Sequence, residues 1–126
     1  MPSTTFDTGN MITHTAASAG VNGPDMDGSF CKGMALFINI TAITGTSPTL
    51  TVTLQGKSAV SGQYYTILAS AALTTTGLTV LRVYPGLTAA ANTVANDIIP
   101  NSWRVISAIG GTTPAVTATV TASVLE

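Results

Sequence analysis

The side chains best suited to carry out chemistry all lie in the first 33 residues of the chain. His14 is the single histidine and Cys31 the single cysteine, whereas nucleophilic catalysis requires a nucleophile with a base beside it. Asp25 and Asp27 have the spacing that begins a calcium-binding loop, but such a loop needs further oxygen ligands and a closing glutamate. The chain has no glutamate before Glu126. We therefore predict no catalytic pair, no metal site, no cofactor and no enzyme activity.

Two tyrosines and two arginines are the candidates for contacts with a ligand or another protein. Tyr64 and Tyr65 are adjacent, so at least one of them should face away from the core of a β-structure. Arg82 is flanked by apolar residues and is expected either to pair with an acid such as Asp97 or to lie at an interface. Arg104 is expected to be solvated or to lie in an interface. The aromatic side chains Tyr64, Tyr65, Tyr84 and Trp103 are also compatible with a sugar-binding platform, although packing in the core is favoured for Trp103.

Composition excludes several classes of partner. Charged residues make up only 7% of the chain, against about 25% in an ordinary soluble domain. The net charge is −1 and the four cations are scattered, which argues against binding nucleic acid through phosphate neutralisation. No apolar run reaches the roughly 18 residues that a membrane helix needs, and the N-terminus has no signal-peptide pattern. These features predict a protein made in the cytoplasm, with a neutral surface suited to an assembly.

Alternating apolar and polar residues predict the strands. Leu50, Val52 and Leu54 alternate with threonines, and a turn-rich connector at 56–63 leads to a second apolar run at 64–69, as in a β-hairpin. The same alternation recurs at 34–43, 78–84, 102–109 and 115–125, with turns predicted at 44–48 and 110–114. The predicted core consists of Leu36, Ile38, Leu50, Val52, Leu54, Ile67, Val80, Trp103, Val105 and Val120.

These elements predict an all-β fold, namely an antiparallel β-sandwich of jelly-roll or immunoglobulin-like form with six to eight strands. Residues 34–126 would form the sandwich domain. Residues 1–33 would form an extended N-terminal arm that docks on another subunit or frays. Deleting residues 1–30 is expected to leave the sandwich folded but to abolish attachment. Residues 87–97 alone have helical propensity, enough for one short turn.

Several of these segments resemble small β-sandwich virion proteins of tailed bacteriophages. The resemblance lies in Thr-Val-Thr-Leu-Gln-Gly-Lys at 51–57, Tyr-Tyr-Thr-Ile-Leu at 64–68, Arg-Val-Tyr-Pro-Gly at 82–86 and Ser-Trp-Arg-Val at 102–105. It implies a virion component: most often a capsid decoration, or cement, protein on the surface of the head, and sometimes a part of the neck or tail. Its expected partners are other copies of itself, with a trimer as one option, and the major capsid protein. The alternative is a carbohydrate- or receptor-binding module of a phage tail, fibre or head.

Overall fold

A computed structural model describes residues 5–29 and 31–125, and all regular elements in these ranges are β-strands. The predicted all-β class is therefore confirmed. The segment at 87–97 makes a single tight turn, in which the Val94 N–H donates to the Ala90 carbonyl, and Asn92 leaves helical geometry with a φ of 62°. No helix in the described residues is long and apolar enough to cross a membrane. The strands are β1 Thr5–Asp7, β2 Ile12–Ala17, β3 Met26–Asp27, β4 Gly33–Lys57, β5 Tyr64–Ala69, β6 Gly77–Val83, β7 Val94–Ala95 and β8 Ser102–Leu125.

The two long strands β4 and β8 organise the sheet. They pair antiparallel from Gly33 opposite Leu125 to Gly56 opposite Trp103. On their other edges, β5 and β6 pair with β4, whereas β1, β2 and β3 pair with β8. The short strand β7 pairs parallel with β6, which makes the sheet mixed. The path β1-β8-β4-β6-β7 has two ends and does not close.

Each long strand is continuous where the sequence predicted a turn, but its pairing register shifts there, an irregularity that bends a strand. At the bends Gly45 has a φ of 122° and Gly111 a φ of 110°, values that L side chains rarely adopt. A Cβ on Gly45 would lie 2.8 Å from the Thr113 carbonyl oxygen, and one on Gly111 would lie 2.7 Å from that of Ser47. The predicted turns at 44–48 and 110–114 do not end the strands. The pairing of β4 with β8 continues through both segments, with Thr46 opposite Thr112.

Alternate residues of β4 and β8 face one apolar core, as predicted. The pairing places their inward residues opposite one another, for example Leu36 opposite Ala122 and Leu54 opposite Val105. The buried core residues on these two strands are Met34, Leu36, Ile38, Ile40, Leu50, Val52, Leu54, Trp103, Val105, Val116, Ala118, Val120, Ala122 and Val124.

Two predicted core residues, Ile67 and Val80, are only partly buried. The pairing of β4 with β5 shifts between Leu54 and Gln55, so Ile67 is an extra residue and Leu68 takes the inward position opposite Leu54. A bulge of this kind changes which residues face the core. On β6, Leu81 lies opposite the inward Leu36, so the odd-numbered residues face the core and Val80 faces outward.

The N-terminal segment, residues 5–29, lies along β8 of its own chain. β1, β2 and β3 pair with β8 in succession, and an isolated bridge joins Asn22 to Ile106. Ile12 joins the core with 2% of its surface exposed, and His14 is 3% exposed. In this structure the described part of the predicted arm thus covers one edge of the sheet.

Candidate functional site

Tyr64 and Arg104 come together on the outward face of the sheet. The pairing of β4 with its two neighbours brings them together. Arg104 on β8 lies opposite Gln55 of β4, and Tyr64 on β5 lies opposite Lys57, two residues further along β4. The guanidinium carbon of Arg104 is 3.5 Å from the centroid of the Tyr64 ring, a cation–π geometry. The Arg104 Nε–H also donates to Gln55 Oε1 at 2.9 Å. Sequence reasoning selected both residues but did not predict that they stack.

Asp25 connects this cluster to the N-terminal segment. The Tyr64 hydroxyl donates to Asp25 Oδ1 at 2.7 Å, and Lys57 Nζ lies 3.1 Å from Asp25 Oδ2. The Tyr64 hydrogen bond, and then Lys57, hold the pKa of Asp25 below its ordinary value, while Asp25 raises the pKa of Lys57. The polar groups of the cluster bind one another. The arrangement therefore fixes a surface, and it offers no group poised for acid–base chemistry.

Tyr65 points to the other face of β5, as the alternation predicted. Its ring covers Gly56, since a Cβ there would lie 2.6 Å from both the ring Cζ and the hydroxyl oxygen. The same position would be 2.8 Å from Pro100 Cγ. Tyr65 is nevertheless 44% exposed, so part of the ring can contact a ligand.

Arg82 lies on the outward face of β6 at an apolar groove. Asp97 does not pair with it among the described residues; its Oδ1 accepts a hydrogen bond from the Ile98 N–H instead. The groove has a volume of about 300 Å³. Arg82 is the one charged residue of its described lining, which includes Phe37, Tyr84, Leu87 and Leu125. The expected pair of Arg82 with Asp97 is therefore not observed among the described residues, and an interface at Arg82 stays a prediction.

His14 takes a structural position. Its Nε2 lies 2.8 Å from Ser107 Oγ, and the same oxygen accepts the Val21 N–H at 3.0 Å. Burial lowers the pKa of His14. In the part of the chain that the structure describes, no acid hydrogen-bonds to this ring. This hydrogen-bonded group joins β2 to β8. Nothing in the sequence pointed to Ser107 beyond its inward position on β8.

Asp27 caps a local turn. Its Oδ1 accepts hydrogen bonds from both the N–H and the hydroxyl of Ser29. Across residues 5–29 and 31–125, no three His, Cys, Asp or Glu side chains form a group that could hold a metal ion.

Comparison with known proteins gives no relative: no family model, curated protein or solved structure matches this chain. Function is therefore inferred from the surfaces described above.

Proposed function

We propose that this chain is a non-enzymatic structural protein of a phage virion, most simply a decoration protein that binds and stabilises the assembled head. The observation that carries the proposal is the outward face around β6. Leu78 is 62% exposed there, and Phe37 and Val80 are half-buried. Arg82 is the one charged residue among the described residues that line the adjoining groove. An exposed apolar surface of this kind is typical of a protein-binding site.

The neutral surface suggests how such a protein would act. Burying threonine and apolar side chains removes few charges from water, so a neighbouring subunit can cover them at low desolvation cost. The outward residues of β8 in this region include Thr117, Thr119 and Thr121, and none of them is charged. A protein that binds only the assembled shell stabilises that state by mass action.

The finer architecture belongs to the same proposal. Inward residues on both sides of the two bends contribute to one buried cluster, which supports two layers packed face to face. We infer an antiparallel sandwich of jelly-roll or immunoglobulin-like form, as in the virion proteins that the sequence resembles. The partners would be other copies of this chain and the major capsid protein, after synthesis in the host cytoplasm.

Binding to empty heads tests the role. The purified protein is mixed with empty heads of the phage that encodes it, and the heads are sedimented. We expect saturable binding and a higher temperature of head disassembly. Leu87→Lys, which places a second cation in the groove, should weaken binding, whereas Val60→Lys at the 99% exposed hairpin tip should not. Absence of binding by the unaltered protein would overturn the proposal.

A carbohydrate-binding module is the second candidate, and the exposed ring of Tyr65 favours it. Tyr64 supports it less, because Arg104 already stacks on that ring. A broad glycan panel tests this function directly. Binding that is lost in Tyr65→Ala would support it, and an unresponsive panel would exclude the glycans tested.

A further inference from the structure

The strand β6 has one edge that is largely unpaired. One edge pairs with β4 over seven residues, from Gly77 to Val83. The other edge pairs with β7 only at Arg82 and Val83. In the described ranges no strand or isolated bridge pairs with that edge over residues 77–81.

The backbone groups on this open edge can be identified from their neighbours. The N–H groups of Arg82 and Tyr84 donate to the carbonyls of Thr93 and Ala95, so they point away from β4. Alternate residues of an antiparallel strand direct their N–H and C=O groups to the same side. Leu78 and Val80 therefore present two donors and two acceptors to the open edge.

The open stretch lacks the usual features that block edge pairing. Natural edge strands are protected by charges, prolines, bulges or a covering segment. Residues 77–81 read Gly-Leu-Thr-Val-Leu, with no charge and no proline, and their register with β4 has no shift. By contrast, β5 carries the bulge at Ile67, and the N-terminal segment covers β8.

We propose that two copies of this chain pair their β6 edges antiparallel, around a twofold axis at Thr79. Leu78 of each copy would then lie opposite Val80 of the other. The two copies together present four N–H donors and four C=O acceptors, which would form four hydrogen bonds. The outward apolar side chains would continue from one copy to the next. This inference rests on the self-association within the proposed function and names its surface.

Charge and chain path both favour a second copy as the occupant. With Thr79 on the axis, Arg82 falls three residues from it in each copy, so the two arginines lie about 20 Å apart along the strands. The partner strand must also leave the edge before β7 begins. Gly77, with a φ of 135° and open space around it, begins the strand at that point and lets the chain turn away.

Light scattering over a concentration series tests the dimer. The contact is short, so we expect a monomer–dimer equilibrium with a Kd between about 1 μM and 1 mM. Leu78→Lys should raise this Kd at least about tenfold, because it removes apolar contact and places like charges near the axis. Val60→Lys, an apolar-to-lysine change at an exposed site elsewhere, should leave it unchanged.

A disulfide test locates the axis. The two Thr79 residues would form a non-hydrogen-bonded pair with Cα atoms about 4.5 Å apart, which a disulfide can span. In a Cys31→Ser background, Thr79→Cys should therefore cross-link quickly on oxidation. Thr66→Cys on β5, also in the Cys31→Ser background, should cross-link slowly.

Several results would overturn the β6 dimer: a monomer at 1 mM, a closed trimer, an unchanged Kd in Leu78→Lys, or equal cross-linking at Thr66→Cys. The head-binding assay separates this failure from that of the proposed function. Dimerisation without binding to empty heads would contradict only the virion role. A protein that binds heads but stays monomeric contradicts only the dimer.

Discussion

Ile12→Ala tests whether the N-terminal segment is an integral part of the fold. Ile12 lies opposite Val120 and is 2% exposed within the core. The substitution removes three buried carbons, worth about 2.4 kcal/mol of transfer free energy, and leaves a cavity that adds to the cost. We expect the free energy of unfolding to fall by about 3 kcal/mol, within the usual range for such substitutions.

The assay is urea unfolding at low protein concentration. Thr13→Ala is the matched control, because Thr13 is the next residue on β2 and is exposed on the opposite face; it should cost less than about 0.5 kcal/mol. A loss below about 1 kcal/mol in Ile12→Ala, or equal losses in the two variants, would show that the segment detaches without disturbing the core. On this reasoning, deletion of residues 1–30 exposes the core, so the truncated chain should unfold, contrary to the expectation from sequence.

Three further predictions address pH, the bends and the polar cluster. Burial holds the pKa of His14 below its ordinary value of 6.5, so the unfolded chain takes up the proton first and stability should fall as pH drops below about 6.5. Urea unfolding at several pH values should show a smaller slope in His14→Gln, and an unchanged slope would contradict this. Gly111→Ala should lower the free energy of unfolding by at least about 2 kcal/mol through strain and backbone overlap. The control Gly62→Ala, whose Cβ would meet nothing within 4 Å, should cost about 1 kcal/mol. Equal losses of the two variants in thermal unfolding would show that the bend accepts a side chain at Gly111. Tyr64→Phe should raise the Asp25 pKa toward its ordinary value in an NMR titration. An unchanged pKa would show that the Tyr64 hydrogen bond does not lower it.

The sequence predicted the inward face of β4 and β8 because alternation of apolar and polar residues directly reports burial in a strand. It did not predict that the two halves of each strand are continuous. Gly45 and Gly111 are equally compatible with a turn and with a bend, and only the cross-strand pairing distinguishes them.

The errors on β5 and β6 have the same origin. Ile67 and Leu68 are both apolar, so composition cannot say which is the extra residue of a bulge. Val80 and Leu81 are ambiguous in the same way until the pairing of Leu36 with Leu81 sets the inward face.

The candidate site was only partly predictable. Tyr64 and Arg104 stood out by residue type, but they are 40 positions apart in the sequence and meet only through the β4 register. The unit of His14 and Ser107 likewise depends on β2 lying beside β8. Arg82 was recognisable as an arginine among apolar neighbours, and the structure adds the groove beside it.

Binding to empty heads is the decisive experiment for the proposed virion role. The purified protein is added in increasing amounts to empty heads of the phage to which the proposed function assigns it, and the bound copies per head are counted after sedimentation. We expect a plateau at a fixed number of copies per head, together with greater thermal stability of the heads. Protein that stays in the supernatant at every concentration would rule out a decoration role.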